Sequence, residues 1–378
     1  MECKSGKLVK IDSGYAFKSN LFNDKNEGMP IIRIRDVNVG KSNTYYSGEY
    51  DKKYVVKDCE MLISMDGNFV IKKCNGGKAL LNQRVCKIKS VSNVLLDDYI
   101  YRILPFELKK IEDATSFVTV KHLSVKTIQE IKINVPKVEV QQKIVNILDQ
   151  AQYLIDKRKA QIEALDELAK SRVIEMFGDP ILNPKGWEKK KLSDECNIIT
   201  GNTPSRKVEE YYGDYIEWIK SDNIKDSGIY LTKAREYLSE KGLEVGRSVE
   251  ENSILMTCIA GSVKCIGDVA IANRKVAFNQ QINGIEPLTN NVSFMFEQFN
   301  LSQKYIQSTI NMSLKGILSK GQLSELEFIF PPIELQNEFA ESFNQIDKLK
   351  FEMKESLEEL ENSFNSLMQR AFKCELFE

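Results

Sequence analysis

The sequence predicts an α+β fold made of two strand-rich domains of mixed α/β structure, each followed by one long helix. Three observations lead to this prediction. The chain repeats itself at a spacing of about 195 residues, each repeat opens with short β-branched and aromatic runs, and each repeat closes with apolar heptads. A period this long is typical of a duplicated domain, because solenoid repeats span roughly 20 to 50 residues.

The repeat is clearest from residue 123 onward. At an offset of 195, 13 of the 55 positions from 123 to 177 are identical to their partners. Upstream the offset varies, as expected where loops have gained or lost residues. The matching pairs there include Ser13-Gly14 with Thr200-Gly201 and Asn82-Gln83 with Asn279-Gln280.

The first part of each repeat reads as a strand-built domain. Apolar runs such as 61–64 and 253–258 are separated by glycine, asparagine and aspartate, which favour turns. After Pro136 in one repeat and Pro332 in the other, proline and glycine are absent until Gly178 and the chain end. Each such stretch predicts a continuous helix.

The two helices carry an apolar seam at heptad spacing. The predicted seam residues are Ile144, Leu148, Ala151, Ile155, Ile162, Leu165, Phe339, Phe343, Ile346, Met353, Leu360 and Leu367. This pattern favours an antiparallel coiled coil within one chain, with a pseudo-two-fold relation between the halves. Two amphipathic helices that each pack on their own domain are the alternative. A helix of about 38 residues spans roughly 57 Å, which limits how far apart the two domains are held.

Composition restricts the class of protein. The net charge is −1, yet residues 1–136 carry 23 Lys and Arg against 16 Asp and Glu, a net of +7, while residues 331–378 carry 5 against 11. A basic surface can face phosphates while an acidic one faces protein, although solvated surface explains the charge equally well. No run reaches the roughly 18 residues of a membrane span, and the N-terminus lacks a signal-peptide core, so we expect a cytoplasmic protein without a membrane.

Metal and cofactor chemistry is not expected on this chain. The eight cysteines include no Cys-x-x-Cys pair, and His122 is the single histidine, so no zinc spacing occurs. A glycine-rich cofactor loop, an Asn/Asp-Pro-Pro-aromatic methyltransferase motif and a phosphate-binding loop are also absent from the sequence. We therefore disfavour an enzyme such as an adenine methyltransferase or a fused nuclease.

The ordered, duplicated phrases resemble type I restriction-modification specificity subunits over the whole chain. The second half carries Lys185-Gly186-Trp187-Glu188, Thr200-Gly201-Asn202-Thr203-Pro204 and Trp218-Ile219-Lys220-Ser221-Asp222. Each helix is introduced by Pro-x-x-Glu-x-Gln, at Pro136 and at Pro331, with the Gln at 141 and 336. The first half departs from the pattern, because Lys7-Leu8 stands where the second half has its Trp-containing entry.

The resemblance implies a chain without an active site of its own. It implies target recognition domains at 1–135 and 178–330 and spacer helices at 136–177 and 331–378. Each domain would read one half of a bipartite site in double-stranded DNA. The helices would dock two methyltransferase subunits, to which restriction subunits add, and S-adenosylmethionine, ATP and Mg are expected on those partners. A coiled-coil DNA-binding regulator or scaffold without methyltransferase partners is the alternative.

Candidate DNA-binding residues are polar or basic residues where both halves place a loop next to a strand. Arg and Lys reach guanine N7 and O6 or phosphates, and Asn and Gln pair with adenine. Plain turn chemistry is the competing interpretation, above all for the Asn-Gln pairs. The candidates are Tyr15, Lys18, Arg33, Arg35, Asp36, Asn82, Gln83, Lys121, His122, Asn202, Thr203, Ser205, Arg206, Lys220, Asp222, Asn279, Gln280 and Lys315.

Overall fold

The computed structural model describes residues 2–114, 121–310, 316–373 and 375–377. The chain divides into two compact units. Unit 1 comprises Met1–Lys159 and Ser356–Glu378, and unit 2 comprises Ala160–Glu355. Each unit therefore contains one strand-rich domain together with part of each long helix.

The described residues of unit 1 form eleven strands, two complete α-helices and part of each long helix. The strands are β1 (Glu2–Lys4), β2 (Val9–Ser13), β3 (Phe22–Asn23), β4 (Met29–Ile32), β5 (Tyr45–Tyr46), β6 (Val55–Val56), β7 (Met61–Ser64), β8 (Ile71–Lys73), β9 (Ala79–Leu81), β10 (Val85–Ser90) and β11 (Lys132–Asn134). The helices are α1 (Asp97–Ala114), α2 (Val125–Glu130) and α3 (Val138–Phe177), of which α3 continues into unit 2.

Unit 2 has a similar set of strands and a larger number of short helices. Its strands are β12 (Lys189–Lys191), β13 (Cys196–Thr200), β14 (Tyr212–Ile219), β15 (Tyr237–Leu238), β16 (Ser248–Val249), β17 (Ser253–Thr257), β18 (Val269–Ala272), β19 (Val276–Phe278), β20 (Ile282–Pro287) and β21 (Glu327–Ile329). Its helices are α4 (Leu192–Glu195), α5 (Ser221–Lys225), α6 (Glu240–Val245), α7 (Val292–Leu301), α8 (Gln303–Ser308), α9 (Lys320–Ser324) and α10 (Ile333–Phe372), of which α10 continues into unit 1.

The two units share the topology of their main sheet, while among the described residues the second sheet has five strands in unit 1 and four in unit 2. Unit 1 has an antiparallel sheet in the order β2-β10-β7-β8, and unit 2 has the same sheet in the order β13-β20-β17-β18. A second sheet in each unit contains one parallel pair, β4 with β9 and β14 with β19. A two-stranded ribbon, β1-β11 or β12-β21, leads to the long helix. The duplication inferred from the sequence is thus a duplication of the fold.

The Gln of each Pro-x-x-Glu-x-Gln phrase is a buried link between the long helix and its domain. The Gln141 side-chain amide donates to Val94 O (2.7 Å) and Pro136 O (2.8 Å), and its oxygen accepts from Leu96 N (2.9 Å). Gln336 repeats these bonds in unit 2 with Asn290, Pro331 and Asn291. Because an unpaired buried amide is costly, the phrase is a structural motif that fixes where the helix leaves the domain.

The long helices pair antiparallel in each unit taken by itself. In unit 1, Leu148 of α3 shares a core with Ala371 of α10, and Lys159 pairs with Glu361 at 2.8 Å. In unit 2, Asp166 pairs with Lys350, and Arg172 lies 3.5 Å from Glu338.

All twelve predicted seam residues are buried or half-buried. Burial is complete for Ile144, Leu148, Phe339 and Phe343, which join the domain cores. The two strand-rich domains, each followed by a long helix, and the antiparallel pairing of these helices confirm the predicted fold class.

Candidate nucleic-acid interface

A close backbone crossing holds the main loops of each unit together. In unit 1, Gly14 N donates to Val85 O (2.9 Å), and a Cβ on Gly14 would lie 2.0 Å from Asn82 O. In unit 2, Gly201 N donates to Ile282 O (3.0 Å), and a Cβ there would lie 2.1 Å from Asn279 O. Only glycine fits such an approach. The Ser/Thr-Gly and Asn-Gln pairs found in the sequence are thus neighbours in space.

The asparagines at these crossings mainly support the backbone frame, meaning the strands and turns that position the loops. Asn279 is 6% exposed, its amide donates to Gln281 Oε1 (3.2 Å), and its oxygen accepts from Gln281 N (3.1 Å). Asn82 is half-buried, and its backbone forms an isolated β-bridge with that of Tyr15. Gln83 and Gln280 are exposed beside them, and Thr203 Oγ1 donates to Gln280 Oε1. The competing turn interpretation describes Asn279, while the glutamines remain accessible.

Arg33 and Asp36 also support the frame. Arg33 Nε donates to Asp36 Oδ2 (3.0 Å), and Arg33 Nη2 donates to Thr44 Oγ1 (2.7 Å). The side chain of Arg33 is only 19% exposed and that of Asp36 only 15%. The Asp36 carboxylate also accepts from Arg33 N (2.9 Å), which closes the turn. In unit 2, Lys220 N donates to Asn223 Oδ1 (3.0 Å) at the matching turn. Arg35, between Arg33 and Asp36, is exposed.

A cluster that the sequence did not reveal lies beside this turn in unit 1. Asp66 Oδ2 is 2.9 Å from Arg84 Nη1, and His122 Nδ1 donates to Asp66 Oδ1 (2.6 Å). The cluster borders a shallow groove of about 510 Å³ whose lining includes Arg35. His122 was a candidate from sequence, but Asp66 and Arg84 were not. The available signal was that Arg84 directly follows Asn82-Gln83.

The remaining unit 1 candidates differ in exposure. Tyr15 is half exposed, with its ring 5.0 Å from that of Tyr54 and 5.2 Å from that of Phe17. Lys18 is exposed, and Lys121 lies 3.5 Å from Glu112. The half-exposed Tyr15 ring and the exposed Lys18 side chain are each suited to contact a nucleic-acid backbone.

In unit 2 an aromatic and cationic cluster stands at the equivalent loops. Arg206 lies over the rings of Tyr212 (4.8 Å) and Trp218 (5.4 Å) and donates to Glu236 at 2.5 Å. Lys220 lies over Trp218 (5.2 Å) and also pairs with Glu236. The hydrogen bond from Lys220, with that from Arg206, holds the pKa of Glu236 below its ordinary value despite partial burial.

The other unit 2 candidates are simpler. Asn202 donates to Val245 O (2.7 Å) and is half-buried, whereas Ser205 and Asp222 are exposed. Lys315 lies outside the described residues.

The described residues contain no group of three or more His, Cys, Asp or Glu side chains placed to hold a metal ion. Burial raises the pKa of the Cys86, Cys196 and Cys258 thiols to about 12, so these thiols are inert. No helix in the described part of the chain combines the length and apolarity of a membrane span.

Comparison with known proteins identifies the family. The family model described as "Type I restriction modification DNA specificity domain" matches residues 1–164 and 184–362, one match in each repeat. The chain belongs to this specificity family. Its relative, the type I restriction enzyme EcoBI specificity subunit of Escherichia coli, is 30% identical over 98% of this chain and 84% of its own length. The resemblance stated from the sequence motifs is therefore confirmed.

Two solved structures from type I restriction-modification systems share the fold. The S subunit from M. genitalium aligns with a TM-score of 0.59 at 14% identity, covering 98% of this chain and 96% of its own. A chain from a structural study of complex assembly and conformational transition in a type I system gives 0.62 at 14% identity, covering 100% of this chain and 98% of its own. At this identity the likeness concerns the fold alone.

Proposed function

We propose that this chain is the non-catalytic DNA sequence-specificity subunit of a type I restriction-modification enzyme. Unit 1 reads one half of a bipartite double-stranded site and unit 2 reads the other. The observation that carries the proposal is that one frame is built twice, with the glycine crossings kept and the exposed side chains changed. A shared frame with different loop chemistry suits two readers of different half-sites.

The loop clusters have the chemistry for this task. Arg35, Arg84 and Lys18 in unit 1 and Arg206 in unit 2 are exposed donors that reach guanine edges or phosphates. Gln83 and Gln280 are exposed amides at matching positions. The net charge of +7 over residues 1–136 favours approach to DNA and predicts affinity that falls with salt.

The long helices are the proposed docking surface for two methyltransferase subunits, to which restriction subunits add. Large apolar side chains are exposed on the helices in each unit, Tyr153 and Leu154 in unit 1 and Leu349 and Phe351 in unit 2. Solvent-exposed apolar groups on a helix favour a protein partner. S-adenosylmethionine, ATP and Mg are assigned to the partner subunits.

The test is methylome sequencing of a host that expresses this chain with a type I methyltransferase subunit. The expected result is methylation of one bipartite motif, with Arg206→Ala altering one half-site only and Lys18→Ala leaving that half-site unchanged. Methylation by the purified chain alone would identify an enzyme instead. DNA binding by the chain without complex formation would favour the coiled-coil regulator or scaffold.

A further inference from the structure

We propose that Asp66, Arg84 and His122 form a specificity-determining set in unit 1 that selects a G·C base pair, with Asp66 as the positioning residue. This inference rests on the proposed function and assigns it to particular atoms. The three residues come from separate parts of the sequence, and the fold joins them at one carboxylate.

The side-chain exposures of the three residues indicate different roles, positioning for Asp66 and base contact for Arg84 and His122. Asp66 is 12% exposed, whereas the side chains of Arg84 and His122 are 62% and 63% exposed. Each Asp66 oxygen has its own partner, Oδ2 with Arg84 Nη1 at 2.9 Å and Oδ1 with His122 Nδ1 at 2.6 Å. A largely buried carboxylate that pairs with two exposed side chains fixes their orientation and leaves their other polar atoms accessible.

The outer atoms match the major-groove edge of a G·C pair. With one nitrogen of Arg84 held by Asp66, the rest of the guanidinium fork is free to donate to guanine O6 and N7. An ionised carboxylate only accepts, so His122 donates to Asp66 through Nδ1, and Nε2 is the ring nitrogen that faces a contact with the base pair in the proposed set.

Unit 2 shows that the fold does not require these charges. The isolated bridge Asp66–His122 has its counterpart in Ile259–Ile317. Met65 N donates to Arg84 O (2.8 Å), and Cys258 N donates to Gln281 O (2.8 Å) in the same way. The same backbone frame thus accommodates two isoleucines and a glutamine.

Arg84 is also held in an unfavourable backbone conformation. Its φ is +65°, in the left-handed region that suits glycine. Strain of this kind at an exposed arginine with an oriented side chain is typical of a functional position.

The experiment is sequence selection from a random pool of double-stranded DNA. The full chain is used alone and in complex with a type I methyltransferase subunit. Arg84→Lys keeps the charge but removes the fork. It should lower the preference for G·C at one position of one half-site by about 5- to 150-fold and leave the other half-site unchanged. Asp66→Asn should relax the same position, although its side chain keeps an acceptor oxygen.

The matched control is Lys132→Gln, which removes an exposed cation paired with Glu2 on the β1-β11 ribbon. Its base preferences should stay those of the wild type. An Arg84→Lys protein that weakens all sequences equally would show a phosphate contact and overturn the assignment, as would an unchanged profile. A wild-type chain that selects no sequence in either form would instead contradict the proposed function.

Discussion

Replacing Glu297 with glutamine should stabilise unit 2 at neutral pH and leave it nearly unchanged in mild acid. Glu297 lies in α7, is 6% exposed, and its Oε2 has no hydrogen-bond partner among the described residues. Burial raises its pKa from 4.5 to about 7, and the nearby Lys170 only partly offsets this. The folded state therefore holds a proton that the unfolded chain releases.

The sign and magnitude follow from linkage. Because the folded pKa lies above the unfolded value, the contribution of Glu297 to stability is greatest below about pH 4.5 and falls as pH rises to about 7. A difference of about 2.5 pKa units, at roughly 1.4 kcal/mol each, costs about 3 kcal/mol above pH 7. Glu297→Gln keeps the size of the side chain and removes the ionisation. The variant should thus gain up to about 3 kcal/mol at pH 8.

The assay is urea unfolding at pH 4.5 and pH 8, with tryptophan fluorescence as the signal. The chain has two tryptophans, Trp187 and Trp218, and both lie in unit 2, so the signal reports that unit. An equal difference at both pH values would refute the reasoning. A less stable variant at pH 8 would also refute it, because it would mean that Lys170 and Lys350 hold the ionised form.

Glu217→Gln is the control of opposite sign in the same unit. A side-chain hydrogen bond from Arg274 lowers the pKa of Glu217, although partial burial acts against it. A lowered folded pKa contributes stability above the unfolded value that is lost in acid. This variant should therefore be less stable than the wild type at pH 8, with a smaller difference at pH 4.5.

Three further predictions test the coiled-coil seam, the glycine crossing and the proposed specificity-determining set. Phe339→Ala, at a fully buried seam position, should cost about 3 to 5 kcal/mol in urea unfolding, whereas Phe351→Ala, 61% exposed on the same helix, should change stability by under about 0.5 kcal/mol. Gly201→Ala should destabilise unit 2 by more than about 1 kcal/mol in the same assay, because the new Cβ would meet Asn279 O; unchanged unfolding would contradict the crossing. Arg84→Gly should preserve or raise the thermal midpoint while relaxing base preference in DNA selection, and a lower midpoint would show that the arginine is structural.

The sequence by itself determined the duplicated architecture and the family. Heptads and strand runs are local periodic signals, so α3 and α10 and the strand-rich character of each domain could be predicted. The Ser/Thr-Gly and Asn-Gln pairs could be matched between the repeats from sequence, but only the structure shows that they meet at a close backbone approach.

Only the tertiary structure decided which of the candidate side chains are exposed and which are held by other residues. Arg33 and Arg35 have similar local sequence, yet Arg33 is bonded to Asp36 and Arg35 is exposed. Asp66 and His122 lie 56 residues apart, and their meeting depends on a bridge that no sequence period encodes. Side-chain exposure and pairing depend on contacts between distant segments, whereas helices and strands depend on neighbours in the chain, which is why the sequence alone predicted only the latter.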